Sequence, residues 1–148
     1  METSSVIFLV CTVLYVYAAS GCWMLQVVSY PTYTLVGEKE FVPFHIAFGR
    51  KLLPVFVGPA VMANLASFVL LLMRPSQMPF WVAALVALCS LTILLTTILI
   101  EVPKHQALDK DGKSEVLIQG LVRDNLPRAL SWTVGSIALL WTLVGMLR

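Results

Sequence analysis

SVIFLVCTVLYVYAASGCWMLQVV, residues 5–28, contains no charged side chain. A helix rising about 1.5 Å per residue needs about 20 apolar residues to cross a hydrocarbon core, so this stretch reads as one complete span. It lacks a basic leading region and stays apolar beyond Ala19-Ser20-Gly21-Cys22, which identifies a retained helix rather than a cleaved signal. Three more long apolar stretches follow, at 44–73, 80–102 and 126–147, with Arg50, Lys51, Glu101 and Arg128 near their ends. The six residues Arg74 to Pro79 form a short turn, so the second and third spans are antiparallel neighbours. The expected fold class is all-α: an integral membrane bundle of four transmembrane helices, up-down-up-down, in a single domain covering 1–148.

Composition agrees. Of 148 residues, 59% are apolar and 12% charged, about half the charged share of a soluble domain, and the mean hydropathy is +0.88. The lipid bilayer is therefore the principal partner. A net charge of +2 offers no footprint for nucleic acid. Cys11, Cys22 and Cys89 all fall inside apolar stretches and read as free thiols.

Basic residues sort by membrane side. Lys39, Arg50, Lys51, Lys104, Lys110, Lys113, Arg123 and Arg128 share one side, against Arg74 and Arg148 on the other. The positive-inside rule places the richer side in the cytoplasm, which makes both termini of this multi-pass protein non-cytoplasmic. Tyr30, Tyr33, Phe41, Trp81 and Trp132 sit near the expected interfaces, where aromatic rings are favoured. Ala63 with Ser67, Ala83 with Ala87, and Ser131 with Gly135 are small-residue pairs that permit close helix packing, and homo-oligomerisation is left open. Pro54 and Pro59 predict a kink in the second span.

Polar groups within and beside the spans gather at that same basic end. Gln26 and Tyr30 belong to the first span, His45 and Arg50 to the second, Glu101 and His105 to the third, and Asn125 and Arg128 to the fourth. Polar groups at such depths are costly, and therefore point to function. Cys22, Gln26 and Tyr30 form an i,i+4 ladder, as do Thr97, Glu101 and His105. His45 and Arg50 lie about 140° apart on an ideal helix, which argues against a shared face.

Several readings of these groups stay open. His45 and His105 read as axial ligands of a haem, as a non-haem iron site with Glu101, as a general base, or as ordinary interface histidines. Glu101 also reads as the ion-pair partner of Lys104. Asp124-Asn125 equally caps a helix with Pro127 in its first turn. The segment from Asp109 to Glu115 has some calcium-loop character but puts Ala107 and Ile118 where acids are required, so it reads as a solvated turn. Val116, Leu117, Gly120 and Leu121 then predict a short interfacial helix.

Gln26, Tyr30-Pro31, Phe41, His45 with Arg50, Val102-Pro103, His105, Asn125, Arg128 and Trp132 together resemble the small four-helix membrane proteins grouped with fungal and bacterial anthrone oxygenases. Leu126 and Ala129 depart from that pattern, where an aromatic residue and a threonine are common, so the resemblance does not carry an identical substrate. It implies an oxidoreductase that oxygenates the activated methylene of a lipophilic aromatic molecule. His45, His105, Asn125, Arg128 and Tyr30 are then the catalytic candidates, and Gln26, Arg50 and Trp132 the substrate-binding ones. The cofactor stays open between none, haem and non-haem iron. Outside the resemblance, a haem- or metal-binding redox subunit and a transporter or scaffold subunit without catalysis are the alternatives.

Overall fold

The computed structural model describes residues Glu2–Arg148 as helices joined by short connections. Four helices are long and apolar enough to cross a membrane: α1 (Thr3–Leu35), α2 (Glu38–Leu72), α3 (Phe80–Asp111) and α4 (Glu115–Met146). Packing runs around a ring, α1 on α2, α2 on α3, α3 on α4 and α4 on α1. In the most apolar window of each helix only 28% to 39% of residues are buried inside the bundle. The remainder, among them Val13, Leu65, Leu99 and Ile137, faces outward. Such a surface suits lipid, and the architecture is that of a multi-pass integral membrane protein.

Each helix extends beyond the apolar stretch that announced it. α2 begins at Glu38 rather than near Phe44, because Glu38 and Glu40 occupy a first turn that favours acids. α4 begins at Glu115, with the Ser114 side chain accepting from the Leu117 N–H as its cap. The expected interfacial helix and the fourth span are thus one continuous rod. The expected cap at Asp124-Asn125 is not formed, since both residues lie well inside α4, and Pro127 is a mid-helix proline.

Three helices depart from α geometry in the same way. π turns occupy Leu25–Ser29 in α1, Leu53–Val57 in α2 and Thr97–Glu101 in α3. Each is followed by one residue and then a proline: Pro31, Pro59 and Pro103. A proline has no N–H to donate, and its ring crowds the carbonyl four residues back. Widening the preceding turn relieves that clash. Tyr30, Gly58 and Val102, the residues just before the prolines, donate to the carbonyls five back, at Leu25, Leu53 and Thr97. In α2 the carbonyl freed by Pro59 is that of Val55, and Tyr17 of α1 donates its hydroxyl to it at 2.7 Å.

The termini-bearing half of the bundle closes around small residues. Ala63, Ser67, Ala83 and Gly135 are buried there. Tyr15 of α1 reaches across to α3, where its hydroxyl donates to the Val86 carbonyl at 3.0 Å and pairs with Ser90. Ser67 of α2 donates to Ser90 at 2.7 Å, so three helices meet in one short polar network. Gly135 of α4 lies against the Tyr15 ring, and a Cβ there would overlap it. At the opposite end, Lys113 donates to the Thr34 and Val36 carbonyls, each at 2.7 Å. That contact fastens the α3–α4 connection to the end of α1.

Because Tyr15 is held at both ring and hydroxyl, Gly135→Val is expected to destabilise the bundle by about 1 to 3 kcal/mol through overpacking. Reversible unfolding in detergent measures it. Unchanged stability would show that the Tyr15 ring is free to move.

Candidate functional site

A cavity of about 460 Å³ opens at the basic end between α1, α2 and α3, with Arg128 of α4 at its floor. All three π turns contribute to its wall, through Leu25, Leu53, Phe56, Val57, Thr97 and Glu101. Most of the lining is apolar, with Phe48, Phe56, Leu52 and Val102 prominent. π turns frequently accompany functional sites because they aim side chains that an α-helix would point elsewhere.

α1 shows the effect. Gln26 and Tyr30, four residues apart, would share a face of an α-helix. The π turn at Leu25–Ser29 adds one residue, which rotates the remainder of the helix by about 100°. Tyr30 consequently lines the cavity. Gln26 turns to α4, donating to the Val122 carbonyl at 2.8 Å and accepting from Asn125 Nδ2 at 2.8 Å. Asn125 is fully buried, and its Oδ1 accepts from Cys22 Sγ at 3.5 Å.

The two histidines meet. His45 Nε2 stands 2.9 Å from His105 Nδ1, with the rings stacked at 5.1 Å between centroids. His45 Nδ1 is 2.6 Å from Asp109 Oδ1, and His105 Nε2 is 3.3 Å from the Tyr30 hydroxyl. Phe41 stacks on His45 at 5.6 Å and Tyr33 meets its edge at 5.4 Å. His45 itself is buried at 4% exposure.

A second polar pair lies deeper. Arg128 Nη1 is 3.5 Å from Glu101 Oε2, and both side chains are buried. The separation is that of an ion pair rather than a hydrogen bond. Both Glu101 oxygens and Arg128 Nε lack a hydrogen-bond partner, as does the Tyr33 hydroxyl. The side chains that carry these atoms line the cavity, while the atoms themselves are closed off behind its surface. Lys104, the expected partner of Glu101, instead pairs with Asp124 and donates to the Gly120 carbonyl at 2.9 Å.

Of the residues singled out in the sequence, Tyr30, His45, Arg50, Glu101, His105 and Arg128 line one cavity. Arg50 stands exposed at its rim. The 140° separation of His45 and Arg50 does not part them, because the cavity is wide enough to take one at its wall and the other at its edge. Gln26, Asn125 and Trp132 do not line it. Gln26 and Asn125 pair with each other, and Trp132 packs edge-on against Tyr15 at 4.6 Å, fully buried, with Nε1 unpartnered.

Among the described residues, no three His, Cys, Asp or Glu side chains stand where they could hold one metal ion. His45, His105 and Glu101 share the cavity without surrounding a common point, since the histidine nitrogens face each other and Glu101 faces Arg128. Nor do the histidines fit a haem between them, because axial nitrogens stand about 4 Å apart at ordinary iron–nitrogen bond lengths. Their facing nitrogens are 2.9 Å apart.

Two contributors escape the sequence. Asp109 reads there as part of a solvated turn, but α3 continues to Asp111 and carries Asp109 one turn beyond His105, onto the same face. The i,i+4 spacing of His105 and Asp109 is the available signal. Tyr33 reads as an interfacial aromatic, yet it lies 1% exposed at the centre of a ring cluster with Phe41, Phe44, His45 and Phe48.

Compared with known proteins, the chain matches no family model, no curated protein and no solved structure.

Removing one member of a buried ion pair strands the other. Arg128→Met and Glu101→Leu are each expected to cost about 3 to 5 kcal/mol of stability, with the double variant more stable than either. Chemical unfolding in detergent reads the cycle. Strictly additive losses would show that the two side chains do not interact.

Proposed function

We propose that the cavity is the active site of an oxygenase acting on a lipophilic aromatic substrate with an activated methylene, in keeping with the resemblance to the anthrone oxygenases. The observation that carries this reading is the pair of histidines hydrogen-bonded in series on the wall of a largely apolar cavity. An apolar pocket at the end of a membrane bundle suits a substrate that partitions into lipid. A histidine relay suits removal of a proton from carbon near neutral pH.

The chemistry requires dioxygen as co-reactant. Tyr30 passes its hydroxyl proton to His105 Nε2 while its oxygen takes the substrate's C–H proton. The carbon's electron pair is left as an enolate, whose oxygen Arg128 stabilises. The carbanion carbon bonds to dioxygen, and the resulting peroxide anion takes a proton to become a hydroperoxide. Loss of the second C–H proton forms the C=O bond as the O–O bond breaks, and the departing hydroxide with that proton is water. One methylene and one dioxygen yield one ketone and one water. Glu101 holds Arg128 at the floor of the site.

Two experiments test the proposal. Purified protein in detergent, given anthrone as the probe substrate, is expected to consume oxygen, and His105→Ala to lower the rate about 100-fold or more. No oxygen uptake above the protein-free rate would overturn the oxygenase reading. We further propose that the basic end faces the cytoplasm. A single cysteine placed at position 148 in a variant lacking the buried thiols should then react with an impermeant maleimide on intact cells. Labelling only after lysis would reverse the orientation.

A further inference from the structure

His45 and His105 are the only histidines in the chain, and all four of their ring nitrogens belong to one series of hydrogen bonds. The series runs from Asp109 Oδ1 to His45 Nδ1 at 2.6 Å, from His45 Nε2 to His105 Nδ1 at 2.9 Å, and from His105 Nε2 to the Tyr30 hydroxyl at 3.3 Å. Its two ends differ in access. Tyr30 is 2% exposed at the cavity wall. The Asp109 side chain is 42% exposed, in the last turn of α3 before Gly112.

The acid sets the direction of the whole series. An ionised carboxylate only accepts, so His45 carries its proton on Nδ1 and leaves Nε2 bare. His105 then supplies the proton between the two rings from its own Nδ1, which leaves its Nε2 bare. That bare nitrogen accepts from Tyr30, whose hydroxyl is the only donor left in the series. Each ring is thereby held as the Nδ1–H tautomer. Phe41 against one face of His45 and Tyr33 against its edge cover the middle of the path, and the hydrogen bonds run along the cavity wall, which all four side chains line.

We infer that Tyr30, His105, His45 and Asp109 form a proton exit path along the cavity wall, from the buried Tyr30 to the exposed Asp109 carboxylate at the basic end, with Asp109 as the positioning residue that fixes its direction. What the path carries rests on the proposed proton abstraction; its existence and direction do not. A proton arriving at His105 Nε2 displaces the Nδ1 proton onto His45 Nε2. His45 releases its own Nδ1 proton to Asp109, which yields one to water. One proton enters, one leaves, and neither ring keeps a charge. Both rings are then left as Nε2–H tautomers, and a proton travelling back resets them. The proposed oxygenation supplies that return, because the first C–H proton departs and the peroxide anion later takes one up.

The test is nitrogen NMR of the full-length protein labelled with ¹⁵N in its histidine rings, at about pH 8, above the ordinary imidazole range. Both rings are expected as Nδ1–H tautomers, with coupling across the His45–His105 hydrogen bond. Asp109→Ala is expected to lose that fixed pattern and Asp109→Glu to retain it. Where oxygen consumption is found, Asp109→Ala should lower kcat about 100-fold with little change in KM. A resting protein with either ring as the Nε2–H tautomer would overturn the path. So would an Asp109→Ala variant that turns over like its parent, even with the oxygenase reading intact. The expected tautomers in a protein that consumes no oxygen would sink the oxygenase reading and leave the path standing.

Discussion

A proline inside a membrane helix leaves a carbonyl without its donor and pushes a ring into the turn before it. In hydrocarbon no water repairs the loss, so the chain itself has to supply the remedy. Here Pro31, Pro59 and Pro103 each receive the same remedy, a π turn ending two residues earlier. The three widened turns all border one cavity. Backbone repair and pocket formation are therefore a single event: the geometry that relieves the proline also turns Tyr30 and Glu101 inward and opens space beside Phe56.

The two ends of the bundle solve the problem of buried polarity differently. Near the termini, Tyr15, Ser67 and Ser90 engage one another and Asn64 donates to the Ala60 carbonyl at 2.7 Å, while Asn64 Oδ1 and Ser136 Oγ stay without partners. That half is held by close approach of small residues, as at Gly135 under Tyr15, and it is suited to rigidity. At the basic end the unmatched groups include charged side chains. Glu101, Arg128 and Tyr33 hold buried polar atoms without partners, a costly arrangement in a region this dry. Stability alone would favour apolar side chains at these positions.

Outside the cavity lining, Cys22, Asn125 and Gln26 form one hydrogen-bonded group between α1 and α4. Gln26 and Asn125 tie α1 to α4 through side-chain amides. Lys104 and Asp124 tie α3 to α4 close by. These bonds fix the distance between the helices that carry Tyr30, Glu101, His105 and Arg128. A relay of hydrogen bonds near 3 Å tolerates little drift in that distance.

The amino-acid sequence by itself determined the four spans, their alternating course and the gathering of polar groups at one end, because length and hydropathy are local properties and lipid penalises charge wherever it falls. It also named Tyr30, His45, Glu101, His105 and Arg128. Its reach ends where the helices depart from α spacing: Gln26 and Tyr30 share a face on an ideal helix and part company around a π turn, and a proline predicts disturbance without saying which side chain it re-aims. Hydropathy equally ends α3 too early, which leaves Asp109 in a solvated turn. Only the tertiary structure decided that Asp109 caps a histidine from another helix, that Glu101 faces Arg128 instead of Lys104, and that Trp132 packs on Tyr15 rather than lining the cavity. Those outcomes depend on the phase and depth of one helix against its neighbour, a relation between distant segments that no local pattern carries.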